Sequence, residues 1–436
     1  MKYSLKEEKF IVNILEKYSK FANNSNDIIL NIQKLPWYND EPKIFSYSVN
    51  YKNKYGVDNN IASGFSFNKK IALIRALGET AERYCIDNYS PRNVLTSSIK
   101  NIKIPHLDPL SIVAFSKNQL KKSSFKKFRV NRDTRFKWVT GVSLTEDKIV
   151  SVPSQLITIN NKKESEAMIL NPISTGAAAG LSLSNALYRG ICEIIERDGF
   201  MISYLNKLPM AKIDLLPIKN KTIRKFLEIF YRYNLELVVL DITTDLGVPS
   251  FAALTLDRTG LGPAVSVGLK AGLDNISCII GAVEESLMTR SWLRDKFIYN
   301  NPDYKREDKI TNIVDRAHLW FPIKSIKYLD FWLGNKKIKK IGRKKLSFST
   351  NQLVTILKIL KKRGMEVVYV NITHPKIKKH GIVVIKAFIS KSQPLYLDER
   401  YPYLGGNRLY EVPVKLGFLK VAKQESQLNK IPHPFL

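Results

Sequence analysis

The residues with the clearest chemical potential form two copies of a Glu-x-x-Glu-Arg pattern, 114 residues apart along the chain. The six residues are Glu79, Glu82 and Arg83 in the first copy and Glu193, Glu196 and Arg197 in the second. In each copy an arginine also stands four residues before the first glutamate. Glutamates three positions apart lie on one face of a helix. The pattern therefore predicts two helices that each present two carboxylates beside a guanidinium.

A single pattern of this kind is often only a surface ion pair, and that interpretation stays open for each copy taken alone. Both copies, however, lie in otherwise apolar helices, where an unpaired carboxylate is costly to bury. Two facing helices with two carboxylates each would form an oxygen-rich cage that suits Mg²⁺. Magnesium bridges phosphate oxygens, while arginines neutralise phosphate charge. The residues thus indicate a nucleotide–Mg²⁺ site.

Familiar nucleotide and hydrolase motifs are absent from the sequence. It contains no GxxxxGK[ST] phosphate loop, no GxGxxG after a strand, no HExxH and no GxSxG. The five histidines lack metal-ligand spacing, and neither helix cysteine has a histidine nearby, so a nucleophilic thiol is not expected. The STGAAAG segment at 174–180 fits either a phosphate cradle or a tight turn with close helix packing. A third helix carries Glu284, Glu285 and Arg290, which alone indicate a solvated face.

Hydrophobic periodicity predicts the elements that position these residues. The predicted helices are a short opening helix, 68–85, 183–205, 219–233, 277–294 and 351–363. The predicted strands begin at Ile44 and cover 235–242, 366–373 and 381–389. The predicted breaks and loops are a polar loop around 23–27, Ser63-Gly64, an exposed basic insertion at 115–137, a basic surface loop at 336–345 and a Pro/Gly-rich tail from about 401. One compact α/β or α+β unit is expected, with an extension at 1–44, a main domain at 45–400 and a tail at 401–436 that belongs to it.

Composition narrows the class of protein. The chain has 436 residues, of which 44% are hydrophobic and 25% charged, as in globular proteins with a core. Three cysteines give no disulfide framework, and neither a spanning apolar stretch nor a secretory start is present, so a cytoplasmic protein is expected. The net charge of +31 attracts polyanions or acidic partners. A merely solvated basic surface stays open, and nucleic acid is not the expected partner.

Three segments resemble the ATP-site motifs of the YcaO family, in the family's order. They are ASGFSFNKKIALIRALGETAERY, TGAAAGLSLSNALYRGICEIIERD and VGLKAGLDNISCIIGAVEESLMTR. The segments DITTDLGVP, LDERYPYLGGNRLYEVP and the closing NKIPHPFL also look like family landmarks. The resemblance covers residues 45–436. It implies a fold of mixed sheets flanked by long helices, with a nucleotide site that lacks a P-loop.

The resemblance also implies an ATP- and Mg²⁺-dependent enzyme that acts on peptide backbone amides. A nucleophile adds to the carbonyl carbon, and the amide oxygen then attacks the γ-phosphate of ATP. In the azoline-forming branch the nucleophile is a Cys, Ser or Thr side chain of the substrate, and a thiazoline or oxazoline ring remains. Other branches use sulfide to make thioamides or an amine to make amidines.

By this similarity, each candidate residue receives a role. The implied metal ligands are Glu79, Glu82, Glu193 and Glu196, and the implied ATP-binding residues are these four with Arg83, Arg197, Glu285 and Arg290. Azoline-forming members end in a PxPxP-like motif near the active site. The matching catalytic tail residues here are Pro432, Pro434 and Leu436, with Leu436 where a third proline is common. A rigid polyproline-like tail without a catalytic part remains the alternative.

The sequence departs from the family pattern at several positions. Ala178, Leu181 and Asn185 stand where Ser, Asn and Glu are common, Met288 replaces a frequent Gln, and Phe65 occupies a glycine-rich position. These changes remove metal or nucleotide contacts. They leave open a catalytically degenerate docking scaffold, beside the leading hypothesis of a cyclodehydratase and the alternative of a thioamide-forming enzyme.

The expected partners follow from the resemblance to enzymes of thiazole/oxazole-modified bacteriocin or cytolysin synthesis. The short N-terminal segment shows no leader-binding or ThiF-like region, so a separate ThiF-like (E1-like) protein is expected to present the precursor peptide. An azole product would require a separate flavin dehydrogenase, since this chain has no flavin fingerprint. The family resemblance further implies a homodimer, and the basic charge suits an acidic partner or leader.

Overall fold

A computed structural model describes residues 5–24, 27–52, 60–91, 93–112, 114–159, 167–297, 310–341 and 351–436, with side chains from residue 11 onward. Its α-helices are α1 Leu5–Asn23, α2 Lys69–Asp87, α3 Lys117–Lys121, α4 Leu183–Leu205, α5 Lys221–Arg232, α6 Asn275–Phe297, α7 Ile313–Trp320, α8 Asp330–Leu333, α9 Gln352–Lys362, α10 Pro375–Lys378 and α11 Asn407–Lys415. No helix in the described ranges is long and apolar enough to cross a membrane.

The described strands form three sheets. They are β1 Ile29–Lys34, β2 Phe45–Tyr51, β3 Asn60–Ser66, β4 Leu95–Ser98, β5 Arg135–Ser143, β6 Lys148–Pro153, β7 Ala177–Gly180, β8 Lys212–Ile213, β9 Glu236–Asp241, β10 Ser250–Leu256, β11 Val265–Ala271, β12 Ile338–Lys339, β13 Val367–Asn371 and β14 Val383–Ile389. The mixture of helices and mostly antiparallel sheets confirms the predicted α+β class.

The chain divides into two compact units that interleave along the sequence. Unit 1 comprises residues 1–36, 44–194 and 351–392, and unit 2 comprises 37–43, 195–350 and 393–436. Helix α4 crosses this division after Ile194. The division differs from the predicted ranges 1–44, 45–400 and 401–436, because segments distant in sequence contribute to each unit.

Unit 1 is built around helix α2. This helix packs on β2 and β3 of the antiparallel sheet β1-β2-β3, and it also contacts β7 and β14 of the sheet β4-β5-β13-β14-β7. Asn68 caps the start of α2 by accepting hydrogen bonds from the backbone N–H groups of Lys70 and Ile71. Gly64 permits the close approach of β3, since a Cβ there would lie 2.0 Å from the Ala76 nitrogen. The strand and helix backbones are therefore in direct contact.

Unit 2 is built around the sheet β11-β10-β9-β8-β12, on which α6 packs through β10 and β11. Every residue of β10 is buried. Gly268 of β11 repeats the role of Gly64, because a Cβ there would lie 2.2 Å from the Ala282 carbonyl oxygen of α6. Each unit thus seats a long helix directly on a glycine-containing strand.

The strongly periodic segments fold as predicted. Helix α4 has the predicted bounds, the opening helix is present, and the helices predicted at 68–85, 219–233, 277–294 and 351–363 are confirmed within three residues. The strands predicted from residue 44 and at 235–242, 366–373 and 381–389 are also confirmed. Strands β1, β4 to β8 and β10 to β12 were not predicted. The polar loop predicted at 23–27 includes residues 25 and 26, which lie outside the described residues.

Two local predictions, the chain break at Ser63-Gly64 and the surface loop at 336–345, were wrong. Ser63-Gly64 lies inside β3 rather than breaking the chain, because Gly64 serves close packing there. The basic insertion at 115–137 exposes its lysines and arginines, as predicted, and it is also folded: it contains α3, a 3₁₀ segment and the start of β5. The basic run at 336–345 includes strand β12, while its residues 342–345 lie outside the described ones. The Pro-rich tail contains helix α11, with Pro413 inside it.

Candidate functional site

The first Glu-x-x-Glu-Arg copy lies on α2, where the strand that precedes the helix fixes its first glutamate. The Glu79 carboxylate accepts a hydrogen bond from the Ser63 backbone N–H at 3.0 Å. Its other oxygen lies 3.2 Å from Arg83 Nη2, one helical turn later. Arg75 donates to the Phe65 carbonyl oxygen at 2.8 Å. A charged side chain of α2 thus bonds to β3 at each of two points, and Glu79 has a defined orientation.

The same arrangement recurs at two other helices. Glu193 of α4 accepts from the Gly176 N–H at 3.0 Å, 17 residues before it. Glu285 of α6 accepts from the Leu269 N–H at 2.6 Å, 16 residues before it. The arginine four residues before Glu193 also has its counterpart, since Arg189 donates to a carbonyl oxygen of β7 at 3.0 Å. The repeat seen in the sequence is therefore a repeat of three-dimensional contacts.

Glu82 lies near the second glutamate helix within unit 1. Burial and the neighbouring carboxylates of Glu193 and Glu79 together raise the pKa of Glu82 to about 8, against the opposing charge of Arg83. The negative charge of Glu193 disfavours ionisation of Glu82, so the site carries a strong local negative field. A cation placed there would favour the ionised form of Glu82.

These donors fit a magnesium ion that shares its coordination with phosphate. Among the residues that the structure describes, no three His, Cys, Asp or Glu side chains come together as a metal-binding group. Mg²⁺ is commonly held by one or two carboxylates, with water and phosphate oxygens completing its shell. Arg83 Nε is buried and has no hydrogen-bond acceptor among the described residues. Paired carboxylates beside this guanidinium suit a magnesium–phosphate group.

The second half of the α4 motif belongs to unit 2. Glu196 is 3% exposed, and its carboxylate accepts from the Ala271 N–H at 3.0 Å. The Lys270 ammonium lies 3.9 Å from the same oxygen. The guanidinium of Arg197 lies under the ring of Phe435, 5.7 Å from its centroid. The tail residue Phe435 thus touches one of the predicted nucleotide-contacting side chains.

The third helix is less solvated than the sequence indicated. Glu284 and Arg290 are each 3% exposed, so the interpretation of a solvated face was wrong for both. Arg290 forms a bidentate pair with Glu41 at 2.7 and 2.9 Å and also donates to Asp257 at 2.8 Å. Such a fork-to-fork pair needs a fixed geometry, which the apolar packing of α6 on β10 and β11 supplies.

The C-terminal tail lies along the second half of α4. The Asn429 N–H donates to the Leu205 carbonyl oxygen at 2.7 Å. The Pro432 carbonyl oxygen accepts from the Tyr204 hydroxyl and from Trp320 Nε1, both at 3.1 Å. Proline has no backbone N–H, so its backbone can form hydrogen bonds only through the carbonyl oxygen. The predicted catalytic residue Pro432 is therefore firmly held.

Further along the tail, aromatic rings continue the contact toward the motif. The rings of His433 and Phe435 lie 5.6 and 5.7 Å from that of Phe200. Leu436 packs against the small apolar cluster that contains Leu293 and Phe297. The tail therefore runs antiparallel to α4, and its last residues lie nearest to the Glu-x-x-Glu-Arg motif of that helix.

A buried charged network holds this tail. Arg316, which is fully buried, donates to Glu399 at 2.6 Å, to the Phe435 carbonyl oxygen at 3.4 Å and to His433 Nδ1 at 2.7 Å. We assign Nε2 of His433 as protonated, since it lies 2.7 Å from the Tyr396 carbonyl oxygen. Burial and the adjacent Arg316 lower the pKa of His433 well below its usual value. Burial raises the pKa of Glu399 to about 7, against the attraction of Arg316.

The positions that depart from the family pattern have ordinary structural roles. The ring of Phe65 lies under the Arg75 guanidinium, at 5.6 Å. Ala178 is buried in β7, and Leu181 packs against the core of unit 1. Asn185 is exposed in the first turn of α4. The 174–180 segment forms a turn at Gly176 with φ of +83°, followed by β7, which confirms the tight-turn interpretation.

Sequence reasoning missed the residues that support the tail. Arg316 and Tyr204 belong to no motif, and Glu399 lies in the LDERYPYLGGNRLYEVP segment, where no role was assigned to it. His433 was counted among scattered histidines, although its place between two prolines of the tail was a usable signal. The buried pair between Asp198 and Arg408, at 2.6 and 2.8 Å, was likewise not predicted.

Comparison with known proteins agrees with these features. The model of the YcaO family, described as an ATP- and Mg²⁺-binding YcaO cyclodehydratase, matches residues 63–392. An uncharacterized protein of Methanothermobacter thermautotrophicus is 25% identical over 234 residues. That alignment covers 53% of this chain, and the chain spans 57% of the relative's length.

Two solved structures have the same fold. A heterocyclase in complex with substrate and cofactor matches with a TM-score of 0.79 and 22% identity, over 98% of this chain and 57% of that one. The YcaO protein of Methanopyrus kandleri, bound with AMPPCP and Mg²⁺, matches with a TM-score of 0.65 and 14% identity, over 90% and 94% of the two chains. With the family match spanning most of its length, the chain belongs to the YcaO family of ATP- and Mg²⁺-binding cyclodehydratases.

Proposed function

We propose that this chain is the cyclodehydratase subunit that phosphorylates backbone amide oxygens of a ribosomally made precursor peptide. The products are thiazoline or oxazoline rings formed from Cys, Ser or Thr. The observation that carries the proposal is the approach of Glu193 to Glu82, two half-buried carboxylates that a divalent cation would stabilise. A carbonyl oxygen leaves poorly until it is phosphorylated, so the enzyme's contribution is positioning and charge stabilisation.

The backbone N–H groups that hold Glu79 and Glu193 pre-orient both carboxylates for a metal. Mg²⁺, when bound, would offset the negative charge of the phosphate groups. The proposed metal ligands are Glu79, Glu82, Glu193 and Glu196. The proposed ATP-binding residues are these four with Arg83, Arg197, Glu285 and Arg290. The proposed catalytic tail residues are Pro432, Pro434 and Leu436, which the buried network around Arg316 would keep in place.

The proposed function includes two partner proteins. A ThiF-like (E1-like) protein would present the precursor peptide, and a flavin dehydrogenase would oxidise azolines to azoles. The heterocyclase structure that shares this fold contains substrate and cofactor. A homodimer and a cytoplasmic location remain part of the proposal.

Ring formation with a Glu193→Gln variant tests the role of the carboxylate pair. Gln keeps the shape and the hydrogen bond from Gly176 but removes the charge. With partner and peptide present, we expect ring formation to fall at least about 100-fold, as when a charged transition-state contact is lost. The control is Glu228→Gln, an exposed glutamate on α5, which should stay within about twofold of the parent. Full activity in Glu193→Gln would refute the assignment.

A docking scaffold without turnover is the second candidate. It is favoured by Ala178 and Leu181, whose apolar side chains are buried or half-buried where ligand-contacting residues are common in the family. A scaffold would support ring formation by another enzyme even as the Glu193→Gln variant. A product with sulfur in place of oxygen, formed only when sulfide is supplied, would instead show thioamide chemistry.

A further inference from the structure

The segment 117–137 concentrates positive charge on a folded part of unit 1. It contains nine lysines and arginines and a single acidic residue, Asp133. All nine basic residues are exposed. We call this set the basic face: Lys117, Lys121, Lys122, Lys126, Lys127, Arg129, Arg132, Arg135 and Lys137. None of these residues belongs to the proposed ATP site or to the C-terminal tail.

The basic face is built on its own small aromatic core. The rings of Phe115, Phe125 and Phe128 are buried and lie 4.3 to 6.2 Å apart. Arg129 donates through its guanidinium to the carbonyl oxygens of Leu120, Lys121 and Lys122, which end α3. These contacts hold the lysines on a fixed platform. A like-charged platform of this kind is destabilised by its own repulsion until an anion covers it.

Two acidic groups of the described residues lie beside the basic face. Asp133 pairs with Lys100, and Asp108 lies 3.6 Å from Arg132. Both pairs are exposed, where such pairs stabilise weakly, and Lys100 itself adds one further positive charge. An anionic partner therefore meets a large excess of cations.

The chemistry of the face identifies the partner. Between Ile104 and Ile149 no described large apolar side chain is exposed, whereas interfaces between folded proteins have an apolar centre. Single-stranded nucleic acids stack on exposed aromatic rings, and the rings here are buried. Six of the nine cations are lysines, which bind as point charges without fixed geometry. We infer that the basic face docks an acidic, unfolded stretch of the peptide substrate.

This inference rests on the proposed function, since it takes the bound peptide to be the substrate. Docking by charge would raise the local concentration of peptide and speed its capture without fixing its sequence. The contact would also weaken steeply with salt, because exposed charges are screened beyond about 10 Å at ~0.1 M ionic strength.

Fluorescence anisotropy with the full-length protein tests the inference. The probe is a labelled 16-residue peptide of alternating Glu and Ser, with a Gln-for-Glu peptide as the uncharged control. The triple variant Lys121→Glu, Lys122→Glu, Lys126→Glu should bind the acidic probe at least about tenfold more weakly at ~50 mM salt, and the parent should lose most of its affinity at ~500 mM.

A matched variant tests whether binding depends on the basic face itself or only on the net charge of the chain. Lys336→Glu, Lys337→Glu, Lys340→Glu changes the net charge equally at exposed lysines in unit 2, and it should weaken binding less than about threefold. Equal losses in the two variants would overturn the inference, as would tighter, face-dependent binding of an oligothymidine with the same charge. Should the Glu variant misfold, the corresponding Gln variant replaces it.

Experiments with the precursor peptide test whether the docked peptide is the substrate. They also distinguish the docking proposal from the proposed ring-forming activity. It should compete with the probe on the parent protein, and the face variant should raise KM for ring formation while leaving kcat unchanged. Failure of the precursor to compete would overturn the inference even if rings form. Competition without any ring formation would support docking and refute the proposed chemistry.

Discussion

Replacing Gly64 with alanine should separate the first glutamate helix from the strand beneath it. A Cβ at this position would lie 2.0 Å from the Ala76 nitrogen and 2.3 Å from the Ala72 carbonyl oxygen. Ordinary contact begins at 3.4 Å, and both neighbours are backbone atoms that no side-chain rotation can move. Strand β3 and helix α2 must therefore move apart by more than about 1 Å.

The free-energy cost follows from what that movement breaks. Overpacking a well-packed contact costs about 1–3 kcal/mol. Lengthening the 3.0 Å bond from the Ser63 N–H to Glu79 beyond about 4 Å would remove a hydrogen bond to a charged group, which costs about 1.5–3 kcal/mol. We expect Gly64→Ala to lower the free energy of unfolding by about 3–5 kcal/mol. It should also weaken Mg²⁺–ATP binding about tenfold, because Glu79 loses its fixed orientation.

Urea unfolding and ATP-binding calorimetry measure the two effects. The matched control is Gly78→Ala on the same helix, where the nearest atom to a new Cβ is the Tyr18 hydroxyl oxygen at 3.5 Å. Since alanine favours helix over glycine, this control should stabilise the protein by about 0.5–1 kcal/mol. Equal unfolding midpoints and equal ATP affinities in Gly64→Ala and the parent would refute the account of how β3 positions α2.

Three further predictions concern titratable groups. Because burial raises the pKa of Cys85 to about 12 and all three cysteines are buried, a thiol reagent at neutral pH should label the native protein only on unfolding; prompt labelling would contradict this. Because the pKa of Glu82 is raised to about 8, its carboxyl holds a proton below that pH, so Mg²⁺ affinity measured by calorimetry should fall as pH drops below 8. The Glu82→Gln variant should lack this dependence, and an identical pH profile in the variant would refute it. Arg316→Met leaves Glu399 buried without a cation and should cost about 3–5 kcal/mol. Hydrogen exchange in residues 429–435 should then accelerate, and unchanged exchange there would contradict the role of Arg316 in holding the tail.

The long helices could be predicted because their apolar residues repeat with helical spacing over many turns. Helix α4 has the predicted bounds for this reason. The strand pattern was harder to interpret where glycine interrupted it, since Gly64 marks close packing rather than a chain break. Strand β1 was missed because only its first residue is buried and little periodicity remains. The periodicity of apolar residues shows which face of a helix or strand is buried. It contains little information about exposed edge strands such as β1.

The candidate site was only partly visible in the sequence. The glutamates of α2 and α4 could be identified because their spacing repeats, and the structure adds that backbone N–H groups hold Glu79 and Glu193. The network around Arg316 could not be identified, because it joins residues more than 80 positions apart through tertiary packing. No helical or strand period relates such residues.

Oxygen transfer during ring formation tests the central claim most directly. A precursor peptide carrying ¹⁸O in the backbone carbonyl before a cyclised Cys or Ser would be incubated with the protein, its partner, ATP and Mg²⁺. The account predicts that each ring forms with loss of one water, and that the ¹⁸O label appears in inorganic phosphate, one labelled phosphate per ring. Rings that form while the phosphate stays unlabelled would contradict phosphorylation of the amide oxygen.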